Sequence, residues 1–591
     1  MSQTPSISSL LHRLWHHISI RRRGQFALLL VLMICSSFAE ILSIGAVLPF
    51  LAVLTDPVRV FAHPNARPVI QAMGITEPKH LLLPLTMAFG LAVLMAGALR
   101  LLLLWASNRL SYAAGADLSI NMYHRTLYQP YAVHVARNSV EVIGGITGKS
   151  SVAVQVINMT LNLANSSVAL TAILVALLMI DPAIALAAFA GFGLIYIVII
   201  RVTGLRLLIN SQIIAHESVY VMKCLQEGLG GIRDVLIDGN QGVYCQIYRN
   251  ADQSLRRAEG NSAFISSSPR IGMEALGMLL IATLAYALAQ QSDGVAKAIP
   301  VLGALALGAQ RLLPVLQQAY GSWATIQGAR ASLRDTLELL DQPIPEYADR
   351  PAVQALPFQR QIRLKQLSFR YSPKSPLVLN NLDLTISKGS RIGFIGVTGG
   401  GKSTLLDIIM GLLQPTNGAI EIDERPIKQE DQRAWQSHIA HVPQTIFLAD
   451  SSIQENIAFG VPLNQIDVER VRHAARQAQI ADIIETWPNQ YQTFVGERGI
   501  RLSGGQRQRI GIARALYKQA DVIIFDEATS ALDNKTEQAV MQAIEGLSKD
   551  LTLLIIAHRL TTLKNCTQIV ELGNGGIKRA GSYQDMVANA L

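Results

Sequence analysis

The chain has 591 residues, half of them apolar and only 16% charged, with a formal net charge of +9. That length exceeds what one hydrophobic core organises, and that polarity suits a membrane protein better than a soluble enzyme. The placement of that charge argues against nucleic acid as a partner, because the basic residues sit mostly between apolar runs without aromatic interleaving, and the four scattered cysteines match neither a metal-ligand spacing nor a disulfide framework.

Residues 5–20 carry Leu10, Leu11, Leu14, Trp15 and Ile18 in the amphipathic pattern of a helix lying at a membrane interface. His12 and His16 stand one turn apart there, open to a metal-binding reading and to that of a plain polar face. After Arg21, Arg22 and Arg23 comes an apolar run too long for a signal-peptide core, which is expected to stay as a membrane anchor. Six apolar runs of spanning length lie near 26–55, 81–106, 152–179, 183–204, 270–291 and 298–325. Lys and Arg concentrate before the first run, between the second and third, and between the fourth and fifth; the opposite loops hold only Arg59, Arg67, Lys79 and Lys297. By the positive-inside bias both termini are cytoplasmic. The two internal loops are long and helically patterned, which predicts helices continuing past the bilayer.

Charge inside an apolar span is costly and marks a pathway or a pair. Arg100 in the second run, Arg270 with Glu274 at the start of the fifth, and Arg311 in the sixth are the candidates for contact with cargo. A planar guanidinium matches paired phosphate oxygens. The competing reading has Arg100 and Arg270 snorkelling to the interface or pairing with Glu274.

A stretch rich in Pro and charge from Gln342 to Pro357 reads as a linker. The expected organisation is therefore an interfacial N-terminal helix over 1–25, a transmembrane domain over 26–330, a linker over 331–357 and a soluble α/β domain over 358–591. Strand-like alternation from Ile362 to Ser387 opens the last of these. Gly393-Phe394-Ile395 ends a strand and leads into Gly396, Val397, Thr398, Gly399, Gly400, Gly401, Lys402, Ser403 and Thr404, followed by an apolar helix from Leu405. This is the phosphate-binding loop of a nucleoside triphosphatase. Its glycines let successive N–H groups converge on phosphate, and the helix N-terminus adds partial positive charge. Lys402 is expected to reach the β- and γ-phosphates of ATP and Ser403 to ligate Mg²⁺. Val522-Ile523-Ile524-Phe525 reads as a buried parallel strand ending in Asp526 and Glu527. Asp526 is expected to hold Mg²⁺ and Glu527 to polarise the attacking water.

Between the phosphate loop and that strand stands Leu502-Ser503-Gly504-Gly505-Gln506, and with it the chain resembles the ATP-binding cassette (ABC) family. The resemblance implies further roles. Tyr371 stacks on adenine, Gln444 senses Mg²⁺ and the lytic water, and His558 contacts the γ-phosphate. Ser530-Ala531-Leu532-Asp533 is similar to the family's D-loop. Leu502, Ser503, Gly504, Gly505 and Gln506 serve the nucleotide held by a partner's phosphate loop. One chain is then half a transporter. A homodimer with two competent sites is the simplest assembly, and a heterodimer stays open. The fused order, six membrane helices and then the ATPase, is similar to ABC exporters, implying ATP-driven alternating access in the bacterial inner membrane.

The run Phe38 to Leu51, followed by Asp56-Pro57, and the segment Gln310-Arg311-Leu312-Leu313-Pro314 resemble flippases of lipid-linked oligosaccharides and related polysaccharide exporters. That resemblance implies arginines gripping a polyprenyl pyrophosphate and a short external helix within 58–74. A drug, lipid or peptide exporter is the alternative, and an ATP-gated channel or regulatory subunit is the alternative from another class.

Overall fold

The structure, a computed structural model, describes residues 5–588 apart from 47–49, 51–52, 55–57, 59–60, 62–76, 181, 290–311, 346–347, 349–355, 528–532, 546–549 and 558–559. The chain forms two compact units. One comprises Met1–Gln129 with Arg137–Ile344, and the other Pro130–Ala136 with Pro345–Leu591.

The first unit is helical. Helix α1 (Ile7–His17) starts where the Ser6 hydroxyl accepts from the Ser9 N–H, and it buries Leu10 and Leu14. His12 and His16 meet edge to face on it, their Nε2 atoms 3.0 Å apart. Helices α2 (Ile20–Gly45), α3 (Leu82–Leu127), α5 (Ser139–Ile180), α6 (Pro182–Gly230) and α8 (Gln241–Ala289) follow, with the short α7 (Ile232–Ile237) between the last two, while the short α4 (Tyr131–Ala136) between α3 and α5 belongs to the second unit. Residues 312–328 form α9. At ~1.5 Å per residue, a helix as long as α3 runs well past a hydrocarbon core ~30 Å thick. Among the described residues four helical stretches are long and apolar enough to cross a membrane: Ile20–Ser43, Leu82–Leu127, Glu141–Val175 and Gly193–Gly230. Parts of the first, fifth and sixth expected spans, and most of the expected external helix within 58–74, lie outside the described residues.

Two apolar clusters hold this unit together. Leu10, Phe26, Met33, Leu110, Leu118 and Met122 pack with residues of α5 and with Leu333 and Leu337, while Tyr196, Leu207, Met273, Tyr320 and Ala324 form the other. Gly115 lets α3 approach α5 closely, since a Cβ there would lie 2.0 Å from a Val154 methyl. The expected linker starting at residue 331 is corrected: Arg330–Leu340 is helix α10, and Leu333, Leu337 and Leu340 are fully buried. Its leucines recur at helical spacing and pack against α1, α3 and α5, so the helical unit continues to Ile344.

The second unit carries two sheets. Strands β1 (Gln361–Phe369), β2 (Leu379–Ser387), β4 (Asn417–Ile422) and β5 (Arg425–Pro426) form an antiparallel sheet ordered β2-β1-β4-β5. The other sheet is ordered β10-β9-β3-β8-β7-β6, from β3 (Arg391–Gly396), β6 (Ile439–Val442), β7 (Val522–Asp526), β8 (Thr552–Ile556), β9 (Gln568–Gly573) and β10 (Gly576–Gly581). Every neighbour pair in it is parallel except the β9–β10 edge. The wholly buried β8 and the near-continuous apolar run of β7 are what a strand covered on both faces requires. Apolar clusters around Ile510, Ile512 and Phe525, and around Phe394, Leu405 and Trp435, fill the unit. Parallel strands bring their C-terminal ends to one edge, and that edge is where ligands bind in such folds.

Candidate active site

Strand β3 ends at Gly396, whose φ is +141° and where a Cβ would lie 2.2 Å from the Leu572 carbonyl oxygen of β9. Only glycine fits there, because the loop must leave the sheet against its neighbour's backbone. Gly399 and Gly401 also take positive φ, +82° and +88°, and Gly401 caps helix α11 (Lys402–Ile409). Val397, Thr398, Gly399 and Ser403 are exposed, whereas Gly400, Gly401 and Thr404 are buried. The loop therefore presents an open mouth over a packed base. Lys402 is buried and donates from Nζ to the carbonyls of Gly396 (2.8 Å) and Val397 (3.0 Å). The lysine thus lies back across its own loop, where phosphate oxygens would replace those two acceptors.

Tyr371 follows β1 and has its hydroxyl 3.0 Å from Thr404 Oγ1. Its ring meets Phe369 edge to face at 5.0 Å and keeps 57% exposure. An exposed aromatic face anchored to the helix behind the phosphate loop offers a stacking surface for a base.

The acidic pair lies two strands along the same sheet edge. Asp526 ends β7 in register with Ile556 of β8. Glu527 departs from the strand with φ +51°, its N–H donating to the Ile556 carbonyl at 3.1 Å. Gln444 follows β6, which pairs in parallel with β7, and its Nε2 donates to Glu527 Oε2 at 2.6 Å. Two residues 83 positions apart in sequence are thus brought together by neighbouring strands ending at one level.

Sequence reasoning missed Asp407, the carboxylate within the apolar run of α11. Burial, and then the Asp526 carboxylate, push it up to about 6. Asp526 is raised as well, by burial first and then by Glu527, with Lys402 opposing. The signal was present in Leu405-Leu406-Asp407-Ile408-Ile409, where one acid interrupts four aliphatic residues. This concentration of half-buried negative charge fits a divalent cation. Among the described residues no group of three His, Cys, Asp or Glu could hold a metal ion. The ion would then complete its shell with nucleotide oxygens and water, the habit of Mg²⁺, with Ser403, Gln444 and Asp526 as the protein side chains within the site.

Leu502 is buried in the core, and Ser503 caps helix α12 (Gly504–Lys518). The Gln506 N–H donates to Ser503 Oγ (3.3 Å) and the Ser503 N–H to Gln506 Oε1 (2.9 Å), a capping box. Ser503 and Gly504 are exposed and Gly505 is partly so, which leaves the helix N-terminus open to solvent. His558 and Ser530 to Leu532 lie outside the described residues. Asp533 is described, and it caps the next helix through Thr536.

In the helical unit, Arg100 pairs with Glu40 of α2 at 2.5 Å. Arg270 pairs with Glu274 one turn on, at 3.1 Å, as one of the two sequence readings had it. Arg311 lies outside the described residues.

The ABC transporter family model matches residues 379–530, from β2 through the phosphate loop, signature and acidic strand. The ATP-dependent lipid A-core flippase of Ralstonia nicotianae is 27% identical over 80% of this chain and 79% of its own. The corresponding flippase of Alkalilimnicola ehrlichii is 33% identical over 61% of each chain. The leukotoxin translocation ATP-binding protein of Mannheimia glucosida is 38% identical over 48% of this chain, which spans about two-fifths (39%) of that relative's length. Among solved structures, a bacterial Atm1-family ABC exporter superposes with a TM-score of 0.78 at 24% identity, covering 96% of this chain and 97% of its own. The fold of that exporter therefore runs through nearly the whole chain, and the ABC transporter domain lies in its C-terminal half.

Proposed function

We propose that two copies of this chain form an ATP-driven exporter that flips a lipid-linked saccharide, on a polyprenyl pyrophosphate or a related amphiphile, across the bacterial inner membrane. The observation that carries this reading is the meeting of Gln444 with Glu527 at the edge that also bears the phosphate loop, in a chain of exporter fold. A gate or regulatory subunit needs no water-orienting carboxylate. The names of the flippase relatives support a lipidic cargo.

Each residue has a physical task. The loop amides and Lys402 bind the β- and γ-phosphates, and Tyr371 fixes the base. Ser403 and Asp526 would hold the cation, which would supply neutralisation of phosphate charge. Glu527 accepts a hydrogen bond from the attacking water and draws its proton, while Gln444 holds that carboxylate in line. His558 would contact the γ-phosphate. The exposed N-terminus of α12, with Ser503 and Gly505, is suited to a partner's nucleotide and makes the dimer part of the site. The Lys- and Arg-rich loops support cytoplasmic termini and a cytoplasmic ATPase unit.

The reading is tested by reconstituting the protein in liposomes with a fluorescent lipid-linked oligosaccharide. Flipping that requires ATP and stops in Glu527→Gln is expected. ATP hydrolysis without flipping of this lipid, together with transport of an unglycosylated drug or peptide, would overturn the cargo and leave the pump.

A further inference from the structure

Ile446, two residues after Gln444, meets helix α12 at Gly511, where a Cβ would lie 2.5 Å from the Ile446 Cδ1, so the helix backbone lies directly against that side chain. The segment then enters a short helix, Ile453–Ile457, capped by Ser452. Asn456 of that helix is fully buried, and its amide is spent on the turn before it. Oδ1 accepts from the Ala449 N–H (2.9 Å), while Nδ2 donates to the carbonyls of Ala449 (3.0 Å) and Ser452 (3.1 Å). Arg514 of α12 donates from Nε to the Asn456 carbonyl (2.8 Å) and from Nη2 to Asn456 Oδ1 (3.3 Å). Its guanidinium lies 4.5 Å from the centroid of the Phe459 ring. The same segment also holds the chain that leads into Ser503. The Val495 N–H donates to the Ser451 carbonyl (3.1 Å), and the Ile453 N–H to the Thr493 carbonyl (3.0 Å).

Packing alone does not call for this polar link. Ile453, Ile457 and Ala458 already share one apolar cluster with Ile510 and Ala513 of α12. Apolar contact fixes how close a helix lies and not its turn about its own axis, because the hydrophobic effect has no direction. A guanidinium fork on two oxygens of one residue does have direction. It is also held against a penalty, since burial pushes Arg514 down to about 10. Arg514 stands about three turns along α12 from Ser503, so a rotation set at Arg514 is carried to the exposed N-terminus. At the other end of the link, the segment begins with Gln444, whose Nε2 donates to Glu527.

We infer that Arg514 and Asn456 are positioning residues that set the N-terminus of α12 from the segment carrying Gln444, so that each chain aligns, from its own hydrolytic edge, the helix end it lends to its partner's nucleotide. Neither residue touches a reacting atom; both act through Ser503 and Gly505. The inference rests on the shared-site dimer proposed above and adds to it a residue pair lying outside the phosphate loop, the acidic strand and the signature.

The test uses full-length mixed dimers in nanodiscs, purified through two different tags, in which Lys402→Ala disables one phosphate loop. The single live site then takes its signature helix from the Lys402→Ala chain. Arg514→Met is placed either on that chain or on the other. On the Lys402→Ala chain it should lower kcat for ATP by about tenfold or more with KM within about twofold, and on the other chain kcat should stay within about twofold. Arg514→Lys, which keeps the charge and one donor, should recover part of the loss; if Arg514→Met chains do not assemble, Arg514→Lys is read in the same two arrangements and should show a smaller loss on the same side. Ser503→Arg, at the lent helix end itself, is the control in both arrangements. Where Ser503→Arg distinguishes the two arrangements, equal losses from the Arg514 variants in both, or no loss in either, would overturn the inference. Where Ser503→Arg does not distinguish them, the shared-site dimer itself falls, and this inference with it.

Discussion

The ATPase unit sets Asp526 beside both Asp407 and Glu527 with Lys402 opposing at Asp526, and Asp407 and Asp526 are pushed above their usual range. The membrane unit does the reverse with the charges it was expected to offer a cargo, closing Arg100 onto Glu40 and Arg270 onto Glu274. Like charges brought together define a site waiting for an ion of opposite sign. Opposite charges already joined define a site whose selectivity must come from elsewhere. The contrast follows from solvent. Water at the rim of the ATPase unit can screen an imbalance until ligand arrives, whereas a hydrocarbon surround cannot.

The largest expected effect breaks the first side of this comparison. Glu527→Gln removes the proton acceptor and keeps the amide-for-carboxylate shape, so ATP hydrolysis should fall about 10²–10⁴-fold. Nucleotide binding should survive, since the phosphate loop is untouched. Turnover near wild type would move the base elsewhere. Gly396→Ala ranks next. Its Cβ would sit 2.2 Å from the Leu572 oxygen at a φ of +141°, so the loop cannot keep its course. Overpacking of this kind costs about 1–3 kcal/mol. Nucleotide affinity should drop with it, and unchanged binding of a fluorescent ATP analogue would show that the loop tolerates a shift.

The membrane side is sharpened by a cycle on Glu40 and Arg100. Arg100→Ala alone removes the cation paired with Glu40, and Glu40→Ala the anion paired with Arg100. Each single change should lower the melting temperature by roughly 2–4 °C. The Glu40→Ala/Arg100→Ala double variant should lose less than the two singles summed, because the pair's interaction is already lost in either single. Additive losses would mean that the pair does not interact.

How much of this was legible differs between the units for a physical reason. The phosphate loop, Asp526-Glu527 and the Ser503 signature are short-range patterns, each fixed by the local turn or cap that it forms. Gly396 and the capping box of Ser503 and Gln506 are the structural forms of what the spacing predicts. Gln444 on Glu527 follows once β6 and β7 are neighbours. Glu40 on Arg100 joins separate spans, and no periodicity records which residue faces which across two helices. Helix α10 went unread because an acidic, proline-bearing stretch follows it, although Leu333, Leu337 and Leu340 carried the helical spacing. Asp407 hid inside a helix counted as simply apolar.

The smallest expected effect concerns that acid. Asp407 is pushed to about 6, by burial first and by Asp526 second, so between its ordinary value and about 6 the folded protein holds a proton that the unfolded chain has released. Stability therefore falls as pH rises through that window, and the deficit persists above it. Asp407→Asn removes the charge and nearly keeps the shape. In nucleotide-free protein with EDTA, the variant should melt higher than wild type at pH 7.5, by roughly one or two degrees given that the group is only half buried. The gap should narrow as pH drops through 6 and close near 4, where wild-type Asp407 is itself neutral. A variant that melts lower than wild type at pH 7.5 would show that the ionised carboxylate is held by donors, and the imbalance ascribed to this edge of the sheet would then rest on Asp526 and Glu527 alone.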